Sequence, residues 1–296
     1  MKELFVEKNF RVDRQQLIAT CNSIIGEYLG QRLRLTLRQL YYQLVSRNII
    51  PNQERAYKNI GNLLSDARLA GLVDWDAIED RIRVPRKQPE FTGLGELVEA
   101  ALYSYRLPRW NGQDYYVELW VEKDAISGVM APLASQYHVT LMVNRGYSSQ
   151  SAMYEAAQRF IAKQTEKGLQ VDRLCVLLYL GDHDPSGEDM VRDIQDRLNI
   201  FGAEVEVTKI ALTMEQVEQY NPPPNPAKLT DSRAQGYIDK HGTSSWEVDA
   251  LPPEVLQRLV EEAILEHLDT GKMNAVKAQE KIDKTKLKSF VKGLGD

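Results

Sequence analysis

In the first quarter of the chain, apolar residues recur every three to four positions. Leu17, Ile18, Cys21, Ile24, Ile25 and Tyr28–Leu29 form one helical stripe, which Gly30 closes. Thr36-Leu37-Arg38-Gln39 is a capping box that opens a second helix running to about Arg47. Asn52 is placed to cap a third helix, to about Ala70, with Gly71 as its stop. Asp80-Arg81-Ile82-Arg83-Val84 then alternates like a short strand. Three helices followed by a basic strand predict a winged helix-turn-helix. Two prolines in the charged stretch Val84-Pro85-Arg86-Lys87-Gln88-Pro89 stop regular structure and place a boundary near residue 90.

Beyond that boundary the period changes. A helix near residues 94–106 leads to an apolar strand, Tyr115–Val121. A helix over Ala125–Gln136, a strand over His138–Val143 and a helix over Ser149–Lys167 follow. The strand Leu174–Leu180, a helix Pro185–Leu198 and the strand Val205–Leu212 come next. Alternating strands and helices around an apolar middle strand predict a parallel sheet covered on both faces. Asn221–Pro226 reads as an irregular connection, and residues 253–269 and 273–291 as two closing helices. The predicted class is therefore α/β. Residues 1–90 form a winged-helix domain and residues 91–296 a Rossmann-like parallel-sheet domain with C-terminal helices.

Composition narrows the class. The 296 residues are 43% hydrophobic and 27% charged, ordinary values for a chain able to bury a full core. Two distant cysteines, Cys21 and Cys175, exclude a disulfide framework and a cysteine zinc site. The longest apolar run, Leu174–Leu180, falls far short of the ~18–20 residues that span a bilayer. The first seven residues mix charges too early for a signal peptide. A cytoplasmic, nucleoid-associated location without membrane contact is expected. The net charge of −5 divides unevenly: residues 1–90 carry +4 and the remainder −9. A basic first part suits a polyanionic partner, and an uneven scatter of surface charge is the ordinary alternative.

Ligands of an open parallel sheet bind beyond the carboxyl ends of its strands. Glu122 stands at such an end, and Asp182 and Asp184 follow Leu180-Gly181 at another. Residues two apart in extended chain share a side, so both aspartates can face one point. Three carboxylates there repel one another unless a hard cation such as Mg²⁺ lies between them. Alternatively, the aspartates cap the helix that Pro185-Ser186-Gly187 opens.

Val121-Glu122-Lys123-Asp124-Ala125 and Gly181-Asp182-His183-Asp184-Pro185-Ser186-Gly187 resemble the two motifs of the Toprim domain. In its D-x-D-P-x-G form the second is similar to that of the topoisomerase VI A subunit and the related meiotic double-strand-break proteins. Asn144-Arg145-Gly146-Tyr147 lies where that family has a basic, glycine-containing loop, with Arg145 as a DNA contact. Trp246–Leu251 looks like the segment near the end of the family's Toprim region, which makes Glu247 and Asp249 secondary candidates. The resemblance, which extends over about residues 12–251, implies Glu122, Asp182 and Asp184 as Mg²⁺ ligands. It also implies a tyrosine nucleophile in an Arg-x-x-aromatic-Tyr pattern, here Arg38-Gln39-Leu40-Tyr41-Tyr42.

Helical spacing separates the two tyrosines. Leu37, Leu40, Tyr41, Leu44 and Val45 form the apolar stripe, which assigns Tyr41 to the core. Tyr42 falls off it, on the face of Arg38, and is expected to be partly exposed. Tyr42 is the candidate nucleophile and Arg38 its phosphate clamp; an ordinary half-exposed aromatic is the alternative. A phenol with a reference pKa of about 10 needs such electrostatic help at neutral pH.

Arg55, Lys58, Asn59 and Asn62 line one polar face of the third helix, as DNA contacts or as a solvated face. Arg81, Arg83, Arg86 and Lys87 are expected to meet phosphates from the wing. Seven lysines from Lys272 to Lys292 suit either DNA or solvent. His183 is expected to pack, and four histidines dispersed along the sequence offer no zinc site. No P-loop or Gly-rich nucleotide motif is present, so ATP hydrolysis is not expected.

The resemblance implies Mg²⁺-dependent, topoisomerase-like cleavage of double-stranded DNA through a 5′-phosphotyrosyl link. It also implies a homodimer that builds its site across two subunits. The short segment before the winged helix argues against docking of an ATPase B-type subunit. Two alternatives accompany this expectation: a Toprim nuclease hydrolysing DNA or RNA with metal-activated water, and a catalytically inactive DNA-binding protein.

Overall fold

Segments with a clear hydrophobic period fold where that period places them. The computed structural model describes all residues except 1, 32, 79–87, 145, 147, 167–168, 171–172, 228–230, 232 and 293–296. Helices α1 (Val12–Gly30), α2 (Leu37–Ser46) and α3 (Glu54–Leu69) pack around Cys21, Ile24, Leu40, Leu44, Ile60 and Leu64. Both bonds of the capping box at Thr36 and Gln39 are made. Gly71 takes φ +70° after α3, a conformation that favours glycine. The N-cap of α3 is Gln53 rather than Asn52, and no side chain caps it. Asn52 is drawn away because its carboxamide bonds Tyr41 and Asn225 instead. The wing expected at Asp80–Val84, with Arg81, Arg83, Arg86 and Lys87, lies outside the described residues, as does most of the proline-containing boundary. Leu35 forms an isolated parallel bridge with Ile78 just before it.

The rest of the chain is α/β. After α4 (Leu94–Ser104) come β1 (Tyr115–Val121), α5 (Asp124–Tyr137), β2 (Thr140–Val143) and α6 (Gln150–Lys163). The short strands β3 (Thr165–Glu166) and β4 (Leu169–Gln170) precede β5 (Leu174–Leu180), α7 (Pro185–Ile200) and β6 (Glu206–Ala211). Helix α8 (Met214–Tyr220), β7 (Asn225–Pro226), α9 (Ala234–His241) and β8 (Ser244–Ser245) follow, then α10 (Pro253–Glu266) and α11 (Thr270–Lys292). Short, weakly periodic segments hid α8, α9 and the two-residue strands from the sequence pattern.

Strands β2-β1-β5-β6 form one parallel sheet in that order. Successive side chains along a strand point to opposite faces. Val117, Leu119 and Val121 of β1 therefore join Val176, Leu178 and Leu180 of β5 under α5 and α10. Tyr116 and Trp120 join Leu177 and Tyr179 under α6 and α7. The result is a Rossmann-like three-layer arrangement. The two units meet where α2 lies against a 3₁₀ turn, Val248–Ala250.

Candidate functional site

The strand order reverses direction between β1 and β5, the point in such a sheet where ligand crevices open. Glu122 leaves β1 there, and Asp182 and Asp184 leave β5. Glu122 Oε2 accepts from the Asp182 N–H at 2.9 Å. Asp182 Oδ1 accepts from the Val248 N–H at 2.9 Å and from Lys123 Nζ at 2.7 Å. Asp184 caps α7, its Oδ1 accepting from the Gly187 N–H at 2.6 Å and Ser186 Oγ at 2.8 Å. A Cβ on Gly187 would drive into the Asp182 carbonyl oxygen, so this tight turn requires glycine. The capping role anticipated for Asp184 is present, and both aspartates still border one cavity.

The positive charge among these carboxylates comes from the protein itself. Lys123 Nζ also reaches Glu247 Oε2 at 2.8 Å and Asp249 Oδ1 at 3.0 Å. Arg38 pairs with Glu247, and its Nε stands 2.9 Å from Asp249 Oδ2. That contact is not a directed hydrogen bond, and Asp249 Oδ2 is buried without one. Burial pushes the Asp182 carboxyl up to about 7; Lys123 pulls it down, while Glu122 and Asp249 push it higher. Burial also works to raise Glu247, but Lys123 and Arg38 hold it down at about 2. Burial opposes the charge of Lys123, yet Asp249, Asp182 and Glu247 outweigh it and keep the ammonium protonated. Within the centre, Lys123 and Arg38 already hold Asp182, Glu247 and Asp249. Carboxylate oxygens are hard donors of the kind that bind divalent cations.

Tyr42 and Arg38 enter the same cavity from α2. It measures about 310 Å³ and is bordered by Arg38, Tyr42, Asp182, Asp184, Asn52 and Glu247, among others. Tyr42 is 5% exposed, contrary to the expectation from helical spacing. The period marks only the face that meets the bundle, Leu40 and Leu44. The turn at Val248–Ala250, some two hundred residues away, covers a second face comprising Tyr41, Tyr42 and Val45. Burial, with the Glu247 carboxylate beside it, pushes the Tyr42 phenol well above its ordinary pKa; Arg38 opposes this. The Arg38 guanidinium lies 5.8 Å from the Tyr42 ring centre. The Tyr41 hydroxyl is engaged as well, donating to Asn52 Oδ1 at 3.0 Å and accepting the Gln53 N–H at 2.8 Å. One chain thus brings the tyrosine and the aspartates together without a second copy.

Sequence reasoning passed over Lys123, Asn52 and Asn225 as parts of this site. Lys123 had a signal, its place beside Glu122 at a strand end. Asn225 had none, because only the fold carries it to Asn52. Arg55, Lys58, Asn59 and Asn62 all lie exposed on α3; Arg55 and Asn59 border a second cavity of about 270 Å³, and Lys58 pairs with Glu54 at 2.7 Å. Arg145 lies outside the described residues.

Two of the four histidines, distant in sequence, meet in space. His183, Glu188 and His241 bring one ligand atom each to within 4.8 Å of one another, a group able to hold a metal ion. Glu122, Asp182 and Asp184 do not converge as closely. His183 is 1% exposed, and burial lowers its pKa. Among the described residues, no helix is long and apolar enough to cross a membrane. No protein-family model matches this chain, and no curated protein matches its sequence.

Proposed function

We propose that the chain cleaves double-stranded DNA by transesterification onto Tyr42 in the cavity between α2 and the loop after β5. One observation carries this reading: Tyr42 and Arg38 open into the same cavity as Asp182 and Asp184, although about 140 residues separate them. A nucleophile, a guanidinium and carboxylates in one cavity at a sheet crevice suit phosphoryl transfer. The Toprim-like motifs supply the rest of the reading.

In this scheme Tyr42 Oη attacks phosphorus and its proton passes to water in the cavity; Glu247, held at about 2 by Lys123 and Arg38, orients the phenol rather than taking its proton. The P–O3′ bond breaks, the 3′-oxygen takes up a solvent proton, and the 5′-phosphate remains on Tyr42. Arg38 neutralises the phosphoryl oxygens; the incoming phosphate competes for it with Glu247 and Asp249. Glu122, Asp182 and Asp184 would hold Mg²⁺, which supplies further positive charge to the phosphoryl group. The exposed residues Arg55, Lys58, Asn59 and Asn62 of α3 would position the duplex through its phosphates. A double-strand break requires two copies of the chain, one nucleophile for each strand.

The burial of Tyr42 favours a second reading, in which water rather than the phenol attacks phosphorus and DNA or RNA is hydrolysed. Covalent adducts distinguish the two. Wild-type protein incubated with DNA and Mg²⁺, then denatured, should carry bound DNA, and Tyr42→Phe should carry none while still binding DNA. Cutting by Tyr42→Phe without any adduct would replace transesterification with hydrolysis. DNA binding without cutting under any metal would leave a binding protein only.

A further inference from the structure

We propose that His183, Glu188 and His241 form a second metal site of the zinc class, which clamps α9 to the loop carrying Asp182 and Asp184. The three residues come from three segments: the loop after β5, the first turn of α7 and the last turn of α9. Their ligand atoms lie within 4.8 Å of one another. Atoms around a tetrahedral zinc stand ~3.3 Å apart, given metal–ligand bonds of about 2.0–2.2 Å. The trio must therefore close by about 1.5 Å at most, a movement the half-exposed Glu188 side chain can make.

The hydrogen bonds around His183 prepare it to ligate. Its backbone is pinned on both sides by Trp246, through bonds of 2.8 and 2.9 Å. His183 Nδ1 lies 2.8 Å from the Tyr237 hydroxyl. That hydroxyl lies 3.0 Å from two carbonyl oxygens, those of His183 and Ser244, neither of which can donate. Its single proton therefore goes to a carbonyl, and its oxygen accepts from Nδ1–H. This selects the tautomer that leaves a lone pair on Nε2, the atom 3.9 Å from the Glu188 carboxylate. A buried imidazole oriented by an outer partner in this way is a recurring feature of metal-binding histidines. The His241 ring stands nearly perpendicular to that of His183, with centres 4.8 Å apart.

Two borderline imidazoles beside one hard carboxylate make a donor set that selects Zn²⁺ or Co²⁺ over Mg²⁺. With three protein ligands, a fourth position stays open to water. The resident competitor is Lys209, whose Nζ bonds Glu188 Oε1 at 2.6 Å and the Asp182 carbonyl at 2.8 Å. A dication takes over Glu188 and leaves Lys209 its carbonyl. The site is separate from the carboxylate centre and stands or falls independently of DNA cleavage.

The test is a titration of untagged, EDTA-stripped full-length protein with Co²⁺ and Zn²⁺. One equivalent of Co²⁺ should give the visible bands of a tetrahedral centre, which Zn²⁺ abolishes and Mg²⁺ leaves unchanged. His241→Gln should weaken binding at least tenfold while melting like the parent in EDTA. Tyr237→Phe should weaken it by roughly 10–100-fold, as loss of an outer partner does. Lys209→Met should tighten it, and Asp182→Asn should retain the bands. Absence of the bands in the parent overturns the proposal. So does Co²⁺ binding that survives His241→Gln or is lost in Asp182→Asn.

Discussion

Lys123→Met probes the charge balance on which the site depends. Lys123 Nζ lies within 3.0 Å of carboxylate oxygens of Asp182, Glu247 and Asp249, and its side chain is 16% exposed. Methionine keeps the length of the chain and removes the charge. Breaking a buried ion pair by deleting one partner costs about 3–5 kcal/mol, because the other charge stays buried. Unfolding entropy of about 2.1 cal/mol/K per residue gives the 296-residue chain about 0.6 kcal/mol/K. The melting temperature should therefore fall by roughly 5–8 °C near pH 8. The loss depends on pH. The Asp182 carboxyl, pushed up to about 7, binds its proton more tightly in the folded state than in the unfolded one. Its ionisation thus works against folding as pH rises through about 4 to 7, and removing Lys123 extends that window upward. The deficit should be smaller near pH 5, where the Asp182 carboxyl can stay protonated and only the ionised Glu247 still misses Lys123, and largest near pH 8. Calorimetry in EDTA at the two pH values reads this directly. A variant that melts within a degree of the parent near pH 8, or shows equal deficits at both, refutes the assignment of Lys123 as the internal counter-ion. Added Mg²⁺ should restore part of the loss near pH 8, since a bound cation replaces the missing charge.

Glu118, fully buried on β1, accepts from Tyr116, Trp120 and both faces of the Arg159 fork, so Arg159→Met should cost about 2–3 kcal/mol in urea denaturation. Adding Glu118→Gln should recover most of that, because the amide oxygen can accept from Trp120 while its NH₂ donates to the Tyr116 hydroxyl, which then donates to Thr140. Tyr41→Phe leaves the Gln53 N–H and the Asn52 carboxamide short of a partner and should cost about 1–2 kcal/mol, measured in the same way. Glu280, in α11, is buried and pairs with Arg109 at 2.8 Å. Although burial works to raise it, Lys284, the Leu107 N–H and Arg109 hold it down at about 2. Its stabilisation is present above the unfolded carboxyl value of about 4.5 and fades as pH falls toward 2. Glu280→Gln should therefore lower the melting temperature near neutral pH, and the difference from the parent should shrink between about pH 5 and pH 3.

Where one hydrophobic period governs a segment, the sequence alone determines the local structure. Residues 115–121 and 174–180 are strands end to end because their apolar side chains are buried on both faces. The capping box at Thr36 and Gln39 forms because both its bonds are local. The carboxyl-edge positions of Glu122, Asp182 and Asp184 follow from the same alternation. What lies in contact with these elements was decided by tertiary structure. Tyr42 looked half-exposed because a helical period describes one face toward one core, whereas α2 is covered twice, once by its own bundle and once by Val248–Ala250. His183 and His241 looked unrelated across 58 positions until α9 folded back onto the loop after β5. Lys123 carried no role in the sequence pattern; Glu247 and Asp249, from a segment more than 120 residues away, give it one. Periodicity is a short-range property of the chain, while charge compensation and metal-type clustering depend on which distant segments share a volume, and that only the packed fold specifies.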